Sequence, residues 1–97
     1  MSAYLIVRIA ITDWSRYREY TARTPAVVAQ YGGRFIVRGG EMETLEGPDE
    51  TRRVVVIEFP TLAQAKTFFQ SAEYTRVKQY REGAANGEFL AIAGCDG

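Results

Sequence analysis

Apolar and polar positions divide the chain into four strands and a set of helical segments. Residues 3–11, AYLIVRIAI, are β-branched and apolar and predict a first strand. Asp13 follows as a helix N-cap. Beyond it Trp14, Tyr17, Tyr20, Thr24, Val27, Val28 and Tyr31 recur at spacings of three and four, one apolar helical face. Pro25 falls inside that face and predicts a kink or break near Thr24, and Gly32 and Gly33 end the helix. Residues 34–38 form a second strand, 39–52 a glycine-rich acidic loop and 53–59, RVVVIEF, a third strand. Pro60 closes it. Thr61 to Gln64 resembles a capping box and Ser71 a second N-cap, so helical pieces are expected over 62–70 and 72–85. Asn86 and Gly87 predict a turn before a last strand at 88–94.

The order βαββαβ, with IVRIAITDW echoed by VVVIEFPTL and GGRFIV by NGEFLAI, is that of a split βαβ, ferredoxin-like unit. The expectation is a single α+β domain over 1–97: an antiparallel sheet of order 4-1-3-2, both helices on one face. Strands one and three are expected to run parallel side by side at its centre.

Counting alternate strand positions puts Leu5, Val7, Ile9, Phe35, Val37, Val55, Ile57 and Phe59 on one side, the face under the helices. Tyr4, Ile6, Arg8, Arg34, Ile36, Arg38, Val54, Val56 and Glu58 take the other. That second face is apolar in the middle and charged at its margins, and an open apolar face predicts packing against a second copy of the chain. In such a homodimer Arg8, Arg38 and Glu58 would border a half-enclosed cleft, with Arg34 near Glu58 and Arg38 at the opposite end. The arginines then either hold a small anion or form structural ion pairs with Glu58.

Composition narrows the chemistry. Twelve basic and twelve acidic residues cancel, which argues against nucleic acid as a partner. No apolar run approaches 18 residues, so no membrane span is expected. The N-terminal MSAYLIVRIAITD does not read as a signal peptide, since Arg8 interrupts the apolar stretch. The single Cys95 cannot form an internal disulfide, which fits a reducing cytoplasm. The chain has no histidine, which removes imidazole triads, His-ligated haem and most zinc sites. Acid–base chemistry would fall to carboxylates, tyrosines or arginine electrostatics. The acidic loop lacks regular calcium-ligand spacing, and neither a metal nor a cofactor is expected.

GGRFIVRGG, the Glu46-Gly47 pair, Glu58-Phe59-Pro60 and Ser71-Ala72-Glu73-Tyr74, with Tyr20, Pro25 and Arg81, resemble the uncharacterised bacterial family catalogued as domain of unknown function 1330. Ala72 stands where that family more often has proline. The resemblance implies a dimeric α/β-barrel, the superfamily of cofactor-independent monooxygenases, muconolactone isomerase and dye-decolourising peroxidases. Without histidine the haem roles do not carry over.

The resulting expectation is a protein that binds or transforms a small anionic or carbonyl metabolite. Glu58, raised in pKa by apolar surroundings, would move a proton. Arg38 would stabilise negative charge, and Tyr20 sits beside the Pro25 break. Arg8, Arg34, Arg81 and Tyr74 would contact the ligand. The alternatives are a non-catalytic metabolite-binding module, or a dimerisation unit whose charges fix register.

Overall fold

A computed structural model describes residues 2–95. The elements are β1 (Ala3–Ile11), α1 (Trp14–Gln30), β2 (Arg34–Arg38), β3 (Arg53–Phe59), α2 (Leu62–Gln70), α3 (Ala72–Lys78), a 3₁₀ turn at Gln79–Arg81, and β4 (Ala85–Ala93). The four strands form one sheet of order β2-β3-β1-β4, the α+β, ferredoxin-like arrangement expected. Among the described residues no helix is long and apolar enough to cross a membrane.

The helix starts follow the sequence. Asp13 accepts from the Arg16 amide, Thr61 from that of Gln64 and Ser71 from that of Tyr74, each supplying an acceptor that the first helical turn lacks. At the end of α1, Gly32 takes φ +80 and its amide bonds back to the Ala29 carbonyl. Gly33 is required for a different reason: a Cβ there would lie 2.6 Å from the Phe59 ring.

Three expectations are corrected. First, β1 and β3 are antiparallel, with Tyr4 opposite Glu58 and Arg8 opposite Val54. The crossover through α1 makes β1 and β2 parallel, and β3, paired antiparallel with β2, must oppose both. Arg8 and Glu58 therefore lie at opposite ends of the sheet. Second, α1 runs unbroken through Pro25. Proline offers no N–H to the Thr21 carbonyl, and that carbonyl instead accepts from Arg38 Nη2 at 3.1 Å. Third, β4 begins at Ala85, and Asn86 and Gly87 pair with Ala10 and Ile9 rather than turning. The Ala84 carbonyl accepts from the Thr12 and Asp13 amides, which brings the chain alongside the end of β1 early.

The inner face of the sheet carries Leu5, Val7, Ile9, Val55, Ile57 and Phe59, all buried against Val28, Ala65, Phe68, Tyr74 and Val77 of the helices. Two rings anchor this layer: Phe59 and Phe68 lie 5.2 Å apart, and Phe68 and Tyr74 lie 4.8 Å apart.

Candidate functional site

β2 holds an irregularity that decides where the charges go. Phe35 pairs with Ile57, but the next residue in register, Val37, pairs with Val56, and Arg38 then pairs with Val55. The extra residue is a bulge at Ile36. A one-residue slip exchanges the two faces of a strand. Val37 is thus exposed on the outer face, and Arg38 joins Val55 on the helix side, the reverse of what alternation predicts.

The candidate residues accordingly fall into two groups on opposite faces. On the outer face Arg34 Nε donates to Glu58 Oε1 at 2.7 Å, and the Tyr4 hydroxyl reaches Glu58 at 3.5 Å. The Arg34 hydrogen bond, first among several donors, holds the Glu58 carboxyl below its ordinary value. The apolar elevation expected for Glu58 is not present. At the other end of this face Arg8 lies 3.5 Å from Glu50, while Arg52 bonds both Glu50, at 2.9 Å, and Glu88. Hydrogen bonds from Arg52 lower Glu50 to about 2.

On the inner face the structure gathers Arg38, Tyr20, Tyr74 and Arg81, and adds Arg53 and Tyr17. A cleft opens between β2–β3 and α1, with a space of about 30 Å³ among Leu5, Phe35, Arg38, Arg53, Tyr20 and Tyr74. That is room for a water or two, so any larger ligand must displace the side chains at its mouth. Arg38 stands there, its guanidinium 4.4 Å from the Phe35 ring and bonded to the carbonyl that Pro25 leaves free. Arg53 packs over Gly39, and its buried Nε has no hydrogen-bond partner. Deeper in, the Tyr20 and Tyr74 hydroxyls lie 2.7 Å apart. Arg81, itself buried, donates to the Tyr74 hydroxyl at 3.4 Å and stacks 4.7 Å over Phe89.

The charge of the lining is one-sided. The hydroxyls of Thr21 and Thr24 spend their hydrogens on the carbonyls of Arg18 and Tyr20. Among the described residues no carboxylate lies within ion-pair distance of Arg38, Arg53 or Arg81; the ion pairs use other arginines. Two guanidiniums, those of Arg38 and Arg53, and three phenols therefore face one apolar cleft without a counter-charge, and Arg81 bonds the Tyr74 phenol from outside the lining. Uncompensated charge in such a place is costly unless an anion completes it.

Desolvation raises Tyr17, against the pull of Arg53 and Arg81, and raises Tyr20 well above the ordinary value of 10.0. The sign for Tyr20 is that of an acid held protonated by the fold. The unfolded phenol ionises near 10 and the folded one later, so stability is level below pH 10 and falls as pH rises beyond it. Tyr20→Phe should flatten that alkaline fall in a denaturation series. Gly39 gives a second prediction. It has φ +69, and a Cβ would stand 2.6 Å from Arg53 Cζ. Gly39→Ala is expected to cost about 1–3 kcal/mol in a urea titration and to displace Arg53.

Arg53 and Tyr17 were not among the residues expected to form a site. Arg53 was within reach, because it has the strand parity of Val55 and Ile57 and lies opposite Ile9 in register.

Solved structures share the fold at low identity. A protein of unknown function from Rhodopseudomonas palustris, a structural genomics target, superposes with a TM-score of 0.77 at 17% identity, over 99% of this chain and 84% of that one. A cofactor-independent oxygenase from Streptomyces nogalater gives 0.69 at 11% identity, over 99% and 95% of the two chains. A dimeric protein of unknown function with a ferredoxin-like fold from Bacteroides fragilis gives 0.64 at 14% identity, over 96% of each. Among curated proteins none matches the sequence. The sequence profile of the domain of unknown function DUF1330 matches residues 2–95, and the chain belongs to that family.

Proposed function

We propose that this protein binds a small anionic metabolite in the cleft beneath α1, with Arg38 and Arg53 as the groups that hold its charge. The observation that carries this reading is the set of guanidiniums facing the cleft without a carboxylate among the described residues. Holding an anion and stabilising charge that develops on a carbonyl oxygen are the same physical act. The cleft therefore suits a carbonyl compound that reacts through its enolate as well as one that is merely bound. The S. nogalater protein, described as a cofactor-independent oxygenase, supports the idea that this fold works without a cofactor. A nitrophenol tests the reading, because its phenolate absorbs in the visible. Bound in a cationic cleft it should ionise at lower pH than in free solution; an unchanged or raised apparent pKa would overturn the proposal.

The protein acts as a homodimer in this reading, joined through the outer face of the sheet rather than at the cleft. Ile6, Val54 and Val56 lie there, with Leu90 54% and Ile92 48% exposed beside them. An apolar face of that extent favours self-association, and the B. fragilis protein of the same fold is described as dimeric. Leu90→Glu should convert a sedimenting dimer to a monomer. A dimer unaffected by that change would place the interface elsewhere.

A further inference from the structure

The hydroxyl bookkeeping of the Tyr20–Tyr74 pair has a chemical outcome. Two phenols carry two hydrogens, and the single bond between their oxygens uses one. Arg81 can only donate, so its contact with the Tyr74 oxygen consumes neither hydrogen. Whichever tyrosine donates to the other, one phenolic O–H is left without an acceptor. Tyr20 is 7% and Tyr74 1% exposed, so bulk water does not supply one. Both line the cleft. Among the described residues no further hydrogen bond supplies that acceptor: the Thr21 and Thr24 hydroxyls bond helix carbonyls and neither is joined to the Tyr20 or Tyr74 hydroxyl, and the arginines of the lining can only donate.

We propose that the Tyr20–Tyr74 pair, backed by Arg81, is a hydrogen-bond donor site for a carbonyl oxygen, and that the ligand is a small oxo acid whose carboxylate is held by Arg38 and Arg53. The inference rests on the anion-binding reading of the cleft and adds a second point of recognition. Arg81 keeps positive charge on the far side of the pair, which favours electron density arriving on the bound oxygen. An enolate oxygen would be stabilised more than the ketone from which it forms. Tyr20 is held protonated by burial, which keeps the donor in place across the neutral pH range.

The test compares acids that differ only at the carbonyl. Pyruvate, acetoacetate and levulinate are each titrated calorimetrically against the branched acid that has a CH–CH₃ in place of C=O: isobutyrate, 3-methylbutanoate and 4-methylpentanoate. For at least one chain length the oxo acid should bind about tenfold more tightly, the worth of one neutral hydrogen bond. The Tyr20→Phe, Tyr74→Phe double variant should lose that preference and keep the affinity for the branched acids. Each single variant retains one hydroxyl, so only the pair removes the donor. In the unmodified protein the ketone carbon of a ¹³C-labelled oxo acid should move downfield on binding, which requires no variant to fold. Equal affinity for every oxo and branched pair would overturn the donor site while leaving the cationic cleft intact. Failure of all six acids to bind would overturn the anion-binding reading, and this inference with it.

Discussion

Replacing Arg38 and Arg53 together with methionine is expected to abolish the binding of small carboxylates while leaving the fold about as stable as before. Each guanidinium can offer a charge-assisted hydrogen bond, and losing two costs roughly 3 kcal/mol or more, a hundredfold or greater loss of affinity. The stability half of the prediction separates function from structure. Neither arginine takes part in an ion pair among the described residues, and the Arg53 Nε is buried without a partner. Removing them relieves like-charge repulsion and an unmet donor, while methionine keeps the apolar stem in place. What is lost on the other side is the bond from Arg38 to the Thr21 carbonyl, at an exposed position, and its stacking on the Phe35 ring. Chemical denaturation should therefore show the double variant within about 1 kcal/mol of the parent or above it. A loss of several kcal/mol would mean that the arginines are structural.

The second large effect lies in the core. Phe59→Ala is expected to cost about 3–5 kcal/mol, read as a lower midpoint in a urea or thermal melt. Phe59 is fully buried, packs 5.2 Å from Phe68 and fills the space that Gly33 leaves open. Neither neighbour can move to close the gap. Gly33 has no side chain, and Phe68 is held by Tyr31 and Tyr74. A domain of this size has about 5–15 kcal/mol in total, so the variant would be partly unfolded at physiological temperature. Phe59 does not line the cleft, so any folded fraction should still bind carboxylates.

Much of the fold can be read from local signals. Asp13, Thr61 and Ser71 announce their helices because a side-chain oxygen there meets an amide three residues on. The apolar alternation of 3–11 and 53–59 specifies which side of β1 and β3 is buried, and the structure agrees residue by residue. The site was only half legible. Alternation carries Arg38 to the outer face, and nothing in GGRFIVRGG marks the bulge that turns it inward; that slip is a property of pairing with β3. Tyr20 and Tyr74 were each singled out, but their contact joins helices 54 residues apart and depends on how α1 and α3 dock. Asn86 and Gly87 read as a turn because their composition is that of one, yet nine residues of β1 offer a partner strand and pairing prevails.

The cationic cleft is tested most directly by the side-chain N–H resonance of Arg53 during a titration with acetoacetate, followed by ¹H–¹⁵N NMR. Its Nε–H has no acceptor in the unliganded protein. On this account it moves downfield and saturates with the bound fraction, Arg38 shifts alongside it, and Arg34, already bonded to Glu58, stays put. An Arg53 resonance that does not respond, or one that drifts without saturating together with every exposed arginine, would contradict it.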